Sequence, residues 1–124
     1  MSGQAQANFI ATKDCDVRTI QLAADIDAGY AIGYDGNLAP AGGAMQGIAR
    51  QNGLSGDYIG CTTDNTASAI VGAAVADGAE LAVGADGKLV TAVTGNNIVA
   101  RALSDSAAAD LFIPVEVKSE GVKP

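Results

Sequence analysis

The sequence predicts an all-β protein: a small compact β-barrel or β-sandwich with pseudo-repeated β-hairpin units and an extended N-terminal arm. Three observations support this prediction: short segments of alternating apolar and polar residues, closely spaced turn dipeptides, and a phrase that occurs twice. The phrase is Asp-Gly-x-Leu, found at 35–38 and again at 86–89. Many short strands separated by frequent turns are typical of small barrels and sandwiches.

Six segments alternate apolar and polar residues with period two, as expected for strands that bury one face. The stretch 65–76, NTASAIVGAAVA, is ambiguous because its alanines favour a helix. Its β-branched residues Ile70, Val71 and Val75 favour a strand, and we predict a strand there. The six alternating segments are Val17–Leu22, Tyr30–Tyr34, Tyr58–Thr62, Ala79–Val83, Leu89–Val93 and Leu111–Val117.

Turn dipeptides separate these segments at short intervals. Asp-Gly occurs at 35–36, 77–78 and 86–87, and Asn-Gly occurs at 52–53. Asp-Gly suits a two-residue hairpin turn, because both central residues of that turn need a positive φ. The sequence therefore predicts tight β-hairpins rather than long crossover connections.

The chain divides into one domain and two terminal segments. Residues 1–16 differ from the rest, because glutamines and asparagines alternate there with small residues. Termini of this composition are commonly mobile unless they are tied down, so we predict a flexible N-terminal arm that a partner orders. Residues 17–118 form the predicted β domain, and the polar residues 119–124 form a predicted C-terminal tail.

An offset of 51 residues, the spacing of the two Asp-Gly-x-Leu phrases, aligns two parts of the chain. It predicts an internal repeat at about 28–63 and 77–117. Arg50 coincides with Arg101 at this offset, and an alanine precedes each of them. Two copies indicate two similar β-units packed with pseudo-symmetry, since a solenoid needs at least about three repeats.

Charge and composition argue against several classes of function. Fourteen acidic and seven basic residues give a net charge of −7, which argues against direct binding of nucleic acid or of an anionic membrane. The chain contains no histidine, so histidine-based acid–base catalysis and histidine-based triads are absent. We therefore predict a protein that is not an enzyme, with no catalytic residue, no cofactor and no metal site.

The cysteines and the N-terminal residues provide information on the cellular compartment of the protein. Cys15 and Cys61 have no CxxC spacing and no histidine beside them to help bind a metal; whether they are free or bonded stays open. The first residues lack the basic and apolar regions of a secretory signal. The apolar run 69–76 is far shorter than the roughly 20 residues of a transmembrane helix. We expect synthesis in a host cytoplasm.

Three charged residues are candidates for specific roles. Arg50 and Arg101 are candidates for salt bridges within the domain or across a subunit interface, since arginine pairs well with carboxylates. Lys88 lies at a predicted hairpin tip and suggests an alternative function. Biotinyl and lipoyl carrier domains carry a modified lysine at such a turn, although the neighbours Gly87 and Leu89 do not match the motifs of those families.

The order of these segments resembles a known family. A strand at Val17–Leu22 precedes Ile26-Asp-Ala-Gly29, the two Asp-Gly-x-Leu phrases, Val99-Ala-Arg-Ala-Leu103 and the strand at Leu111–Val117. Over residues 17–117 the chain resembles the small capsid cement, or head decoration, proteins of tailed bacteriophages, the broad DUF2190-type family. Another virion β-module, such as the base of a head fibre, is an alternative.

The resemblance implies a structural role on the virion. Such proteins are compact β domains, usually homotrimers, that bind the outer surface of the mature phage head and hold neighbouring capsomers together. The implied partner is the major capsid protein, and the implied location is the capsid exterior. The arm would then contact the capsid, with Phe9 and Ile10 as apolar anchors. The expected contact residues are Gln6, Asn8, Phe9, Ile10, Thr12 and Lys13.

Overall fold

Nine β-strands form the framework of residues 17–124, which are the residues that this computed structural model describes. Within this range there is no α-helix, and one 3₁₀ turn lies at Ala85–Gly87. The prediction of an all-β protein is confirmed. The strands are β1 Val17–Gln21, β2 Ala31–Ile32, β3 Gly47–Ala49, β4 Tyr58–Thr62, β5 Asn65–Ile70, β6 Glu80–Val83, β7 Leu89–Thr91, β8 Asn97–Ala102 and β9 Phe112–Val122.

The strands form two antiparallel sheets. The first sheet has the order β1-β4-β3-β2, and the second has the order β5-β9-β8-β6-β7. Each sheet is open, with an edge strand at either end, so the protein is a β-sandwich and the closed-barrel alternative is wrong. The edge strands are β1 and β2 in the first sheet and β5 and β7 in the second.

The two sheets repeat one topology. We call residues 17–62 the first unit and residues 65–124 the second unit. The order β1-β4-β3-β2 of the first unit recurs as β5-β9-β8-β6 in the second, and the bridge between Ile32 and Leu38 corresponds to the pair Val83 and Leu89. The repeated strand order begins with the first strand of each unit, earlier than the predicted repeat bounds of about 28 and 77.

The buried core is shared by the sheets but centred on the second. Its larger cluster contains Leu81, Leu89 and Val115 of the second sheet together with Ala31 and Ile48 of the first. Because residues of both sheets belong to this cluster, the sheets pack face to face. No aromatic residue is among the buried hydrophobic residues of the described chain, in agreement with the low aromatic content of 4%.

The turn at Asp86-Gly87 has the predicted backbone conformation. Asp86 has φ 62° and Gly87 has φ 75°, and the Gly84 amide donates a hydrogen bond to the carbonyl oxygen of Lys88 at 2.6 Å. At the other two Asp-Gly dipeptides only the glycine has positive φ, 86° at Gly36 and 82° at Gly78. The prediction of a turn is confirmed at all three positions, whereas two successive positive φ values occur only at 86–87.

The C-terminal segment differs from its prediction as a tail. Strand β9 continues to Val122, which lies opposite Asn97 of β8, and the Lys123 amide donates a hydrogen bond to the carbonyl oxygen of Asn96 at 2.8 Å. The residues of this end of the strand are exposed or half-buried, and the register of β8 and β9 shifts between Ile98 and Ala100. Only the last two residues follow the strand.

The two arginines are not structural equivalents. The Arg50 amide donates to the carbonyl oxygen of Gly60 at 3.1 Å, and the matching bond in the second unit joins the Leu103 amide to Pro114 at 3.0 Å. Arg50 therefore corresponds to Leu103, and its predicted equivalence with Arg101 is wrong. The two units differ in strand length, because β6 and β8 are longer than their counterparts β2 and β3. The number of residues that separates equivalent positions therefore changes along the chain.

Candidate functional site

A cleft of about 590 Å³ opens where the two units meet. We call it the seam cleft. Strands β3 and β4 and the loop before β2 supply one side, and β5 and the start of β9 supply the other. It is lined by Val17, Ala28, Gly29, Ala49, Arg50, Thr62, Asn65, Thr66, Ala67, Ser68 and Phe112.

One end of the seam cleft is held by a contact between the units. The Ile70 amide donates a hydrogen bond to the carbonyl oxygen of Gly29 at 3.0 Å. The ring of Phe112 lies against Gly29, where an added Cβ would be 2.4 Å from Cε2 of that ring. Glycine is therefore required for this approach. The side chain of Phe112 remains 55% exposed, so it offers apolar surface to the cleft.

The edge of β5 forms one wall of the seam cleft. The backbone groups of the odd-numbered residues of β5 point towards β9. Val71, the odd-numbered residue directly after the strand, shows this orientation, because its amide donates a hydrogen bond to the carbonyl oxygen of Leu111. Since backbone groups alternate along a strand, the N–H and C=O groups of Thr66 and Ser68 point away from β9 and into the cleft. Neither residue's backbone bonds to another described residue outside the β5–β9 ladder.

Arg50 provides the positive charge of the seam cleft. It follows β3 directly, and its side chain is exposed. Within residues 17–124 it forms no ion pair. The other lining residues are neutral, so the part of the cleft formed by residues 17–124 presents one guanidinium without an ion-pair partner in that range and no carboxylate. A guanidinium in this setting favours a carboxylate ligand, which it binds in bidentate geometry.

Arg101 lies on β8 in the other sheet and has a structural role. Its Nε and Nη2 donate to the two carboxylate oxygens of Glu120 at 2.8 and 3.0 Å, and Nη2 also approaches Glu80 at 3.4 Å. The hydrogen bonds from Arg101 lower the pKa of Glu120, and the carboxylate of Glu120 raises the pKa of Arg101. Lys123 Nζ completes the network with a 2.6 Å bond to Glu80. Arg101 thus belongs to a salt-bridge network, whereas Arg50 lies at the seam cleft.

Lys88 is already engaged within the domain. Its Nζ donates to Oδ1 of Asp110 at 2.6 Å, and this hydrogen bond raises the pKa of Lys88. The side chain is 25% exposed. The ion pair ties the β6–β7 hairpin to the loop before β9, so Lys88 does not project freely as the attachment lysine of a carrier domain would.

Two kinds of reactive site can be assessed among the described residues, metal sites and cysteine thiols. No group of three His, Cys, Asp or Glu side chains in residues 17–124 is placed to hold a metal ion. Cys61 is a buried free thiol, and burial raises its pKa, which disfavours the nucleophilic thiolate. Residues 17–124 include no helix that could cross a membrane.

The surface carries exposed apolar side chains that the sequence patterns do not reveal. Tyr58 and Leu54 are 68% and 64% exposed in the first unit, and Leu111 is 48% exposed in the second. Tyr58 and Leu111 each follow an aspartate, as the sequence alignment of the two units shows. The alternation of the strands identifies a buried face but does not show which apolar residues stay exposed.

The predicted capsid-contact residues lie in the first 16 residues. Gln6, Asn8, Phe9, Ile10, Thr12 and Lys13 are outside the described residues, and they remain predictions.

Comparison with known proteins identifies a similar fold. No protein-family model matches the chain, and no curated protein matches it. A solved structure that does match is the N base of the head fiber protein gp8.5 of bacteriophage phi29. The two share 14% sequence identity with a TM-score of 0.68, and the match covers 87% of this chain and 98% of that chain. At this identity the likeness concerns the fold.

Proposed function

We propose that this chain is a non-enzymatic structural protein of a bacteriophage virion. The observation that supports this proposal is the fold similarity to the phi29 head fiber base, which spans nearly all of both chains. Fold alone does not imply function, and the proposal therefore depends on the experiment described below.

Within this class we propose a decoration, or cement, protein on the exterior of the mature head. The chain would bind the major capsid protein and stabilise contacts between capsomers. A ligand that binds only the mature shell lowers the free energy of that shell through linkage. A homotrimer that touches several capsomers would gain avidity of roughly 10²–10⁴-fold over a single contact. Binding sites of moderate affinity, such as the seam cleft, would then be sufficient to attach the protein to the shell.

Co-sedimentation tests this proposal. Purified protein is mixed with expanded phage shells and, separately, with precursor shells, and the bound fraction is measured after ultracentrifugation. We expect saturable binding to the expanded shell and none to the precursor shell, together with a trimeric mass for the free protein. A monomer that binds neither kind of shell would contradict the decoration role.

The base of a head fibre is a second candidate, because the structural match is itself the base of a head fiber. The two candidate functions differ in whether the domain is joined to further polypeptide. A decoration protein is present on virions as a chain of about the 12.2 kDa computed for this sequence, whereas a fibre base is joined to a larger fibre. Mass spectrometry of virion proteins distinguishes them, since a longer polypeptide that contains this sequence would favour the fibre base.

The carrier-domain alternative is less well supported. Lys88 is ion-paired with Asp110 at 2.6 Å, so a modifying enzyme would first have to break this pair. An intact mass equal to that of the plain sequence, measured on protein from its native host, would exclude a biotinylated or lipoylated lysine.

A further inference from the structure

We propose that the seam cleft binds an extended, acidic segment of the shell protein as an added strand on the open edge of β5. This inference rests on the proposed function, because it takes the shell protein as the partner. It assigns the docking contact to the described β domain rather than to the N-terminal arm.

The backbone of β5 supplies the first part of the site. Thr66 and Ser68 present their N–H and C=O groups to the cleft, and both side chains are exposed. An open strand edge pairs with another extended chain through main-chain hydrogen bonds. The next residue of this edge, Ile70, already makes such a bond to Gly29 at 3.0 Å, which shows that the edge is directed at the cleft and able to pair there.

The size of the seam cleft suits a short peptide segment. Its volume of about 590 Å³ lies within the roughly 300–1,000 Å³ of ligand-binding clefts. Ala49 and Ala67 leave room for an incoming backbone, and the exposed ring of Phe112 offers apolar contact at one end. The cleft thus combines a strand edge, space beside it and one apolar anchor.

Charge indicates the character of the segment. The chain has a net charge of −7, yet the residues that line the cleft include Arg50 and no carboxylate. Arg50 has no ion-pair partner in residues 17–124. An incoming strand that places a carboxylate beside Arg50 would form a charge-assisted, bidentate hydrogen bond. An acidic segment is therefore the best-matched occupant.

Two substitutions test the two parts of the site, each with a matched control. Arg50→Glu reverses the charge in the cleft, and Arg18→Glu makes the same charge change on β1, where Arg18 bonds Gln46 at 3.1 Å. Ser68→Pro removes the N–H that faces the cleft. Thr91→Pro removes an outward-facing N–H from β7, the other edge strand of the same sheet, beyond the point where Leu89 bonds Gly72. Proline is tolerated on an edge strand where its N–H would face outwards.

Binding to isolated expanded shells is measured for the wild type and all four variants. Thermal unfolding of the free proteins identifies any variant that fails to fold. We expect Arg50→Glu and Ser68→Pro each to weaken binding by about tenfold or more, as expected for loss of a charge-assisted or strand-pairing hydrogen bond. The controls Arg18→Glu and Thr91→Pro should bind like the wild type. If Ser68→Pro does not fold, the comparison of Arg50→Glu with Arg18→Glu decides alone.

The remaining outcomes of this experiment would overturn the inference in different ways. Wild-type binding that both cleft variants retain would overturn the inference and leave the proposed function standing. No binding by the wild type would overturn both. A lower oligomeric mass for the free cleft variants would show that a second copy occupies the cleft. A lower melting temperature for Arg50→Glu than for its control Arg18→Glu would show that part of the same chain occupies it. Either of these two results would overturn the assignment to the shell protein.

Discussion

The first unit, residues 17–62, and the second unit, residues 65–124, pair their strands in the same order, but they are stabilised differently. Every ion pair among the described residues lies in the second unit, at Lys88–Asp110 and around Arg101. The second unit also contributes most of the largest core cluster and all of the smallest one, whereas the cluster of intermediate size belongs to the first unit. The second unit therefore contributes most of the buried core and the ion pairs, while the first unit brings Arg50, which has no ion-pair partner among residues 17–124, to the seam.

Individual positions show how the two units differ. Lys88 of the second unit corresponds to Asn37 of the first, and Asp110 corresponds to Gly56, because the amides of Gly56 and Asp110 bond the carbonyl oxygens of Leu22 and Val71 in the same way. Lys88 and Asp110 form an ion pair, whereas Asp57 accepts a hydrogen bond from the Leu54 amide at 2.9 Å and Asn37 bonds Asp35. The same turns are thus held by a long-range ion pair in one unit and by local hydrogen bonds in the other.

The largest expected effect concerns the core. Leu81→Ala in the second unit and Leu22→Ala in the first remove the same atoms from side chains that are 0% and 2% exposed. Each should lower the free energy of unfolding by about 2–5 kcal/mol. The loss should be larger for Leu81, because it belongs to the larger cluster. Urea denaturation measures both, and an equal or larger loss for Leu22 would contradict the second unit as the main support.

The next largest effect concerns the aligned Asp-Gly turns. Gly36→Ala and Gly87→Ala each force a left-handed backbone on alanine, at a cost of about 1–2 kcal/mol. The added Cβ at Gly36 would lie 2.6 Å from the carbonyl oxygen of Gln21, whereas at Gly87 the nearest atom is Cδ2 of Leu38 at 2.8 Å. A side chain moves more easily than backbone, so Gly36→Ala should be the more destabilising. Thermal unfolding of the two variants checks this order.

A smaller effect should appear as acid sensitivity of the second unit. Arg101 holds the pKa of Glu120 below its ordinary value of 4.5. The pair therefore contributes stability above that value, and the contribution is lost as pH falls through the lower folded-state pKa. Glu120→Gln should lower the melting temperature at pH 7 and reduce the loss between pH 7 and pH 3. Asp77→Asn, at an exposed aspartate outside the ion pairs, is the control and should leave the acid sensitivity unchanged.

The smallest effect should appear at alkaline pH. Asp110 raises the pKa of Lys88 above its ordinary value of 10.5. The pair is therefore fully stabilising below that pH, and its contribution is lost as pH rises through the higher folded-state pKa. In Lys88→Gln the melting temperature should fall slightly at pH 8, and the difference from the wild type should shrink above pH 11. A constant difference at all pH values would show that the pair contributes through packing alone.

Local sequence patterns determined much of the fold. Alternation predicts strands at six places, and each place contains a strand or part of one. The Asp-Gly dipeptides predict turns, because glycine adopts the positive φ that these turns need at little steric cost. The repeated phrase predicts duplication, and both of its occurrences form turns, although their backbone conformations differ.

The tertiary structure decided what depends on contacts between distant residues. The extension of β9 to Val122, the loss of equivalence between Arg50 and Arg101, and the ion pairs of Arg101 all follow from how strands pair across the sheet. The seam cleft also depends on contacts between distant residues, because β5, Arg50 and Phe112 come together only when the two units pack. A sequence pattern reports the preferences of neighbouring residues, whereas register and packing are set by the joint burial of residues far apart in the chain.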